Sequence, residues 1–284
     1  MRYFFLRFPE GKFKALTLSY DDGVRADERF SKTLNKYGIK CTFNINSAFV
    51  GQRDNLTFEE LQALLLDCGH EVAVHGERHM APGIVKPVRG MIDVLNCRQT
   101  LERELGRIIR GMAYPDSGVT RMFNGNDYET IRAYLQAAGI TYARTLGGDN
   151  NSFSLPEDWY RWMPTAHHQN PKLFEWCDEF LSMHEEDVYI TRRYPKLFYL
   201  WGHSYEFDRN NNWERLEEFC ERMSGQEDVW YATNGEIYDY ITAYNSLVMS
   251  ADCTRVYNPT LQKIWFFADG KQYSVAPGET ITVD

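Results

Sequence analysis

The sequence predicts an α/β protein: a distorted (β/α) barrel of about seven strands with a small antiparallel β appendage at its C-terminal end. Two observations predict this fold class. Short apolar runs alternate with amphipathic stretches from about residue 14 to residue 245, which is typical of a parallel sheet. After Asn245 the pattern changes to closely spaced strands separated by tight turns. About seven strand–helix units favour a closed barrel over an open sheet.

The predicted barrel strands are the short apolar runs of the alternating region. They are Lys14–Tyr20, Cys41–Asn46, Glu71–Val74, Gly111–Ala113, Thr141–Arg144, Leu197–Trp201 and Val229–Ala232. Capping boxes at Thr57-x-x-Glu60 and Thr233-x-x-Glu236 open two of the helices between them, and glycines end several others. The predicted helices are Ala26–Tyr37, Thr57 to Cys68, Pro87–Leu105, Asp127–Ala138, Lys172–Ser182, Trp213–Met223 and Thr233 to about Tyr244.

The C-terminal residues read as a separate small β element. Its predicted strands are Val256–Asn258, Lys263–Ala268, Gln272–Val275 and Thr280–Val283. About forty residues bury too little surface to fold alone. We therefore expect a barrel over residues 1–245 and a β element over residues 246–284 that packs on it.

The composition and net charge of the chain indicate which classes of binding partner are not expected. The net charge of −9 and the pI near 5.4 argue against nucleic acid and anionic membranes, because both select basic surfaces. The sequence has no apolar run long enough to cross a membrane and no signal-peptide pattern at its start, so we expect a cytoplasmic location. The six cysteines lack C-x-x-C spacing, which favours free thiols.

Two adjacent carboxylates, Asp21 and Asp22, follow the first predicted barrel strand. Neighbouring carboxylates repel each other, so a fold that buries them supplies a cation, a shared proton or hydrogen-bond donors. The same residues followed by Gly23 also make an ordinary solvated turn. The pair indicates a site only if cation ligands follow downstream.

Three histidines are the candidate partners of this acidic pair. His75 and His79 follow a predicted strand at a spacing of i and i+4, which places both rings on one face of a helical turn, within reach of one ion. The alternative is two solvent-facing histidines on a loop. His203 ends a very apolar strand and could serve as a general acid, or as a structural residue.

Six candidate residues fall at the ends of predicted strands, where (β/α) barrels place their catalytic groups. They are Asp21, Asp22, His75, Tyr114, Arg144 and His203. This shared placement is the strongest internal indication of a common site.

Four sequence elements, taken in order, resemble the polysaccharide deacetylases of carbohydrate esterase family 4, also called the NodB homology domain. The similar elements are Thr17–Gly23, the pair His75 and His79, Ala113-Tyr114-Pro115, and Leu200–His203. The resemblance covers roughly residues 14 to 245. It implies a distorted (β/α) barrel and metal-dependent removal of acetyl groups from N- or O-acetylated sugars or oligosaccharides.

The resemblance also implies a role for each matching residue. Asp21 is then the general base and His203 the general acid. Asp22, His75 and His79 bind one divalent metal ion, for which Zn²⁺ suits the ligands best and Co²⁺, Ni²⁺ or Mn²⁺ are possible. The backbone N–H of Tyr114 helps to hold the oxyanion, and Tyr114 and Pro115 border the substrate. Independently of the family, a metal-polarised carbonyl, a base and an acid form a coherent hydrolytic set.

One position departs from the family pattern. The family carries an arginine three residues before the tyrosine, where this chain has Gly111, and that arginine normally braces the catalytic aspartate. We hypothesise that Arg144 supplies the missing charge, with Arg110 as the competing candidate. The alternative is that Arg144 pairs with some other nearby acid.

An aromatic segment offers candidate substrate contacts. Trp162 is the residue that we select as a candidate to stack on a sugar ring, although a tryptophan at such a position more often belongs to the hydrophobic core. His167 could line the pocket. Since neighbouring residues of an extended segment point to opposite sides, at most one of His167 and His168 is expected to do so.

Three functions from two classes remain open at this stage. The leading prediction is a metal-dependent carbohydrate deacetylase. A second hydrolase would act on another non-peptide amide on the same fold, since relatives in the wider superfamily hydrolyse cyclic ureides, some without a metal. A non-catalytic glycan-binding protein is the third, and the absence of the usual arginine keeps it open.

Overall fold

A curled sheet of parallel strands forms the centre of the molecule in a computed structural model, which describes residues 3–116, 118–146, 149–150 and 152–284. The strands of the chain are β1 (Phe4–Arg7), β2 (Lys14–Asp21), β3 (Thr42–Ile45), β4 (Glu71–Val74), β5 (Gly111–Ala113), β6 (Tyr142–Arg144), β7 (Ala166–His167), β8 (Lys196–Gly202), β9 (Val229–Tyr231), β10 (Val248–Met249), β11 (Arg255–Tyr257), β12 (Ile264–Ala268), β13 (Lys271–Val275) and β14 (Thr280–Thr282).

Seven of these strands follow one another in the order β6-β5-β4-β3-β2-β8-β7, and all pairs are parallel. β9 pairs with the first residues of β2 and β3 with its last residues, so these two strands share one edge of β2. The segment that enters β7 links the two ends of the sheet, since Trp162 forms a parallel bridge with Arg144 of β6. The predicted fold class is confirmed.

Eight helices cover the outside of the sheet in the described ranges. They are α1 (Asp27–Lys36), α2 (Phe58–Glu60, continuing as Leu61–Leu66), α3 (Pro87–Leu105), α4 (Tyr128–Ala137), α5 (Leu173–Ser182), α6 (Tyr205–Arg209), α7 (Trp213–Met223) and α8 (Asn234–Asn245). Both predicted capping boxes are present, at Thr57 and at Thr233. The short helix α6 and the strands β1, β7 and β10 were not predicted, because elements this short carry little periodicity.

Two small antiparallel sheets complete the fold, in the orders β1-β12-β13 and β10-β11-β14. The N-terminal strand β1 joins the first of them, with Phe5 opposite Phe267. A second hydrophobic cluster, which includes Leu6, Phe266 and Tyr240 of α8, lies between this layer and the barrel. The β element of the C-terminal residues therefore packs on the barrel together with the start of the chain. The domain boundary at residue 245 stays a prediction.

All six cysteines carry free thiols, and Cys41, Cys97, Cys177 and Cys220 are buried. No helix in the described ranges is long and apolar enough to cross a membrane.

Trp162 belongs to the hydrophobic core, and the prediction that it stacks on a sugar is wrong. Its side chain is 1% exposed. The ring packs against Tyr199 at a centroid distance of 4.7 Å and meets Trp159 and Tyr142 edge to face at 5.0 and 5.6 Å. The strand bridge to Arg144 turns this residue inward. Its ring therefore offers no face to a ligand.

We expect Trp162→Ala to lower the free energy of unfolding by about 3–5 kcal/mol, because it leaves a large cavity among fixed aromatic rings. Urea unfolding at constant pH measures the change. Phe123→Ala, at a position that is 57% exposed, is the matched control and should shift stability by less than about 0.5 kcal/mol. A Trp162 variant as stable as the control would contradict this assignment.

Candidate active site

The carboxyl edge of the parallel sheet gathers five of the predicted residues. Asp21 ends β2, Arg144 ends β6, and His203 follows β8 directly. Asp22 follows β2 and His75 follows β4. Because parallel strands end at the same edge of a sheet, residues distant in sequence converge here.

Asp21 is buried, and its two carboxylate oxygens have different partners. Oδ2 accepts a hydrogen bond from Nη2 of Arg144 at 2.5 Å, and Oδ1 accepts one from Nδ2 of Asn44 at 2.9 Å. Burial alone would raise the pKa of Asp21, but the charge of Arg144, followed by His75 and His203, holds that pKa below its usual value. The carboxylate is therefore ionised at neutral pH.

Asp22 follows Asp21 with a left-handed backbone, with φ of 83°, and its side chain is more exposed than that of Asp21. Its N–H donates to the carbonyl of Asn44 at 2.9 Å, and Nδ2 of Asn55 donates to its carbonyl at 3.0 Å. The following Gly23 is also left-handed, and a Cβ there would lie 2.9 Å from Cδ1 of Ile45. These contacts fix the backbone of the turn that carries the second carboxylate.

His75 and His79 both face Asp22, but they do so from a loop and not from the predicted helical turn. Left-handed backbone at Gly76 (φ of 78°) and at His79 (φ of 57°) folds the loop back on itself. The ring centroids lie 4.9 Å apart. The two rings lie close together, as the i, i+4 spacing predicts, but a folded loop and not a helical turn brings them together.

The three side chains Asp22, His75 and His79 fit a divalent cation. Oδ1 of Asp22 lies 3.7 Å from Nε2 of His75 and 3.6 Å from Nε2 of His79. These separations approach the spacing of ligand atoms around a tetrahedral ion with bonds of about 2.0–2.1 Å. Nδ1 of His75 lies 2.9 Å from the carbonyl of Ala113, which can only accept, so Nδ1 carries the proton and Nε2 is left with its lone pair.

Arg144, and not Arg110, is the arginine that contacts Asp21. Its side chain is fully buried, and its guanidinium lies 4.6 Å from the ring centroid of Trp201. Arg110 instead pairs with Asp239 at 2.7 Å on the surface. The family pattern leads us to expect an arginine beside Asp21, and in this protein that arginine comes from β6.

His203 stands between the acidic pair and Glu206, a residue that sequence reasoning missed. Nε2 of His203 lies 3.9 Å from carboxylate oxygens of both Asp21 and Asp22, and its Nδ1 lies 3.7 Å from Oε1 of Glu206. Burial would lower the pKa of His203, but Glu206, Asp21 and Asp22 together raise it above the ordinary value. The ring is therefore suited to carry a proton near neutral pH.

Glu206 also contacts His167 and His168, whose Nε2 atoms both lie 3.1 Å from its Oε2. Their rings stack at 4.5 Å, so both reach the same carboxylate and the expected alternation of directions is absent. β7 ends at His167, which explains the difference. Nδ1 of His167 accepts from the N–H of Gln169, so the His167 proton lies on Nε2, beside Glu206. These residues form a polar cluster that supports His203, and His167 is only partly exposed.

Tyr114 cannot hold an oxyanion through its backbone, so that expectation is wrong. Its N–H donates to the carbonyl of Arg144 at 3.0 Å as part of the sheet. Its side chain is buried, and its hydroxyl donates to the carbonyl of Tyr160. The neighbouring Pro115 is buried as well. Neither residue therefore offers an exposed side chain to a substrate.

The family model described as "Polysaccharide deacetylase" matches residues 9–143, a range that contains Asp21, Asp22, His75 and His79. Over residues 9–143 the chain is similar to the polysaccharide deacetylase family. The resemblance drawn from the motifs is confirmed, and the deacetylase region includes the strands β2 to β5. No curated protein sequence matches the chain.

Two solved structures share this fold at low sequence identity, and a third is similar over a shorter part of the chain. A probable polysaccharide deacetylase from Pseudomonas aeruginosa is 14% identical, with 80% of this chain and 89% of that chain covered and a TM-score of 0.55. An allantoinase is 15% identical, with coverages of 82% and 91% and a TM-score of 0.58. A Streptococcus pyogenes deacetylase solved with acetate is 18% identical over 46% of this chain, which spans about half (55%) of that protein, at a TM-score of 0.41.

Asp27 is a buried acid next to the site, and its pKa reports the effect of burial and of the nearby carboxylates. It is fully buried in α1 and accepts a hydrogen bond from Oγ of Ser204 at 2.6 Å, next to His203. Burial, followed by the charges of Asp22 and Asp21, raises the pKa of Asp27 to about 8. The folded state therefore keeps a proton that the unfolded chain releases near pH 4.

We expect the free energy of unfolding to fall as pH rises from 5 to 8, on the order of 1 kcal/mol per pH unit from this group, because the native state binds the extra proton. Asp27→Asn keeps an acceptor for Ser204 and should remove this component of the slope. Urea unfolding at pH 5.5 and pH 8.5 compares the two proteins, with Asp67→Asn on the surface as the control. Parallel slopes in wild type and Asp27→Asn would show that Asp27 is not protonated.

Proposed function

We propose that the protein is a metal-dependent hydrolase that removes acetyl groups from an N- or O-acetylated sugar or oligosaccharide. One observation carries the proposal: a ligand set of one carboxylate and two imidazoles lies beside a second, separately held carboxylate and a histidine. The family match over residues 9–143 supports the same reaction class.

Asp22, His75 and His79 would hold the metal ion. Zn²⁺ suits one carboxylate and two imidazoles best, and Co²⁺, Ni²⁺ or Mn²⁺ could use the same ligands. Burial lowers the pKa of His75, which favours the neutral imidazole that a metal requires. A divalent ion bound there would polarise the acetyl carbonyl and make the attacking water more acidic.

Asp21 is suited to act as the general base. Its carboxylate is ionised, it lies 3.9 Å from Nε2 of His75, and it is fixed by Arg144 and Asn44. In this role it takes the proton of the water as the oxygen attacks the carbonyl carbon. Arg144 keeps the carboxylate in place and compensates its charge while no proton is bound.

His203 is suited to act as the general acid. Its Nε2 faces the same space as Asp21 and Asp22, and its Nδ1 faces the Glu206 carboxylate. When the tetrahedral intermediate breaks its bond to the sugar nitrogen or oxygen, Nε2 would donate a proton to that leaving atom. Glu206 would stabilise the charged ring before this transfer.

We expect purified protein to contain about one divalent ion and to release acetate from N-acetylated chito-oligosaccharides, with activity lost on chelation and restored by Zn²⁺ or Co²⁺. Asp21→Asn should lower kcat by two or more orders of magnitude while the ion stays bound, because only the base is removed. Elemental analysis and an acetate assay measure both effects. Asp67→Asn, on the surface, is the matched control.

The same assays separate the alternatives. Allantoin belongs in the substrate panel, because the allantoinase fold likeness supports a hydrolase of another non-peptide amide as the second candidate. Turnover of allantoin without acetate release would replace the deacetylase proposal. Binding of oligosaccharides with metal present and no hydrolysis of any substrate would favour a glycan-binding protein.

Glu206→Gln should lower kcat by about tenfold or more and leave KM nearly unchanged, because the amide no longer stabilises the charged His203 ring that acts after substrate is bound. Steady-state acetate release at saturating substrate measures this. Glu214→Gln, exposed on α7, should behave as wild type. A change in KM alone would place Glu206 in substrate binding.

A further inference from the structure

We infer that Asp93 of α3 is a positioning residue: its buried carboxylate holds the loop between His75 and His79 in the shape that turns both rings toward Asp22. The inference rests on the proposed metal site and concerns how that site is built. Asp93 is 3% exposed, and no motif in the sequence points to it.

Asp93 accepts hydrogen bonds from two consecutive backbone amides of the loop. Oδ1 of its side chain accepts from the N–H of Arg78 at 2.9 Å. Its carbonyl accepts from the N–H of Glu77 at 3.0 Å. The carboxylate therefore fixes the backbone directly before His79, and a charged acceptor makes this the stronger kind of hydrogen bond.

The loop needs such a support because two of its residues are left-handed. Gly76 and His79 have φ of 78° and 57°, and for a residue with a side chain this conformation persists only where the surroundings impose it. A Cβ at Gly76 would lie 2.2 Å from Oδ2 of Asp93. Only glycine allows the carboxylate to approach the loop this closely.

Other contacts hold the start of the loop, but Asp93 is placed differently. Asn96 of α3 donates to the side chain of Glu77 at 3.0 Å, and the N–H of Ala48 donates to the Glu77 carbonyl at 3.0 Å. The side chain of Asp93 instead binds the N–H of Arg78, the residue directly before His79. Its loss should let the second ligand move relative to the first, and outer contacts of metal ligands typically change affinity by 10–100-fold.

Calorimetric titration of the metal-free protein with ZnCl₂ tests the inference. We expect Asp93→Ala to bind zinc about 10–100-fold more weakly than wild type. Asp93→Asn should lose about threefold or more, because a neutral amide oxygen accepts from the N–H of Arg78 more weakly than a carboxylate does, and an NH₂ group replaces the oxygen that lies against Gly76. Glu104→Gln, exposed on the same helix, should bind as wild type.

Amide hydrogen exchange over residues 76–80 in the metal-free protein gives an independent readout, with circular dichroism as the check on folding. We expect faster exchange in Asp93→Ala and in Asp93→Asn than in wild type. Wild-type zinc affinity and exchange in both variants would overturn the inference, and if only Asp93→Asn folds, its wild-type values suffice. If wild type binds no zinc, the metal site fails, and the exchange rates alone decide whether Asp93 orders the loop.

Discussion

The buried ion pair between Asp21 and Arg144 is the interaction on which the rest of the site depends. The two residues lie on β2 and β6, which are separated by three strands in the sheet order. They meet at 2.5 Å only because the sheet curls enough to bring its interior sides together. Either charge would be costly to bury without the other. The curvature of the barrel is therefore required for the two buried charges to compensate each other.

Around this pair, the protein assigns different surroundings to two neighbouring carboxylates. Asp21 is buried and held by a permanent cation and an amide donor, whereas Asp22 is partly exposed and faces the imidazoles of His75 and His79. Asp21 is thereby suited to move a proton, and Asp22 to hold an ion, as the deacetylase proposal requires.

The sequence predicted correctly where a short pattern fixes the position of a residue at a strand end. It failed where a backbone N–H or a side chain is already engaged in the sheet or in the core. The ends of the parallel strands converge as expected, which brings His203 to the acidic pair. The N–H of Tyr114 was expected to be free, but the β5–β6 ladder takes it. Trp162 faces the core because its segment bridges to β6. Glu206 lies three residues after His203, a spacing that places two side chains on one face of a helical turn. Because the short helix α6 was not predicted, this spacing did not identify Glu206 as a partner of His203.

The sequence by itself determined the barrel class, the order of its strands along the chain and the residue types at their ends, because these follow from periodicity and local spacing. Only the tertiary structure decided which arginine braces Asp21, since Arg144 and Arg110 differ in which side of the curled sheet they face. It also decided how His75 and His79 come to face Asp22. We infer that this geometry depends on Asp93, a contact from a distant helix that no local pattern encodes.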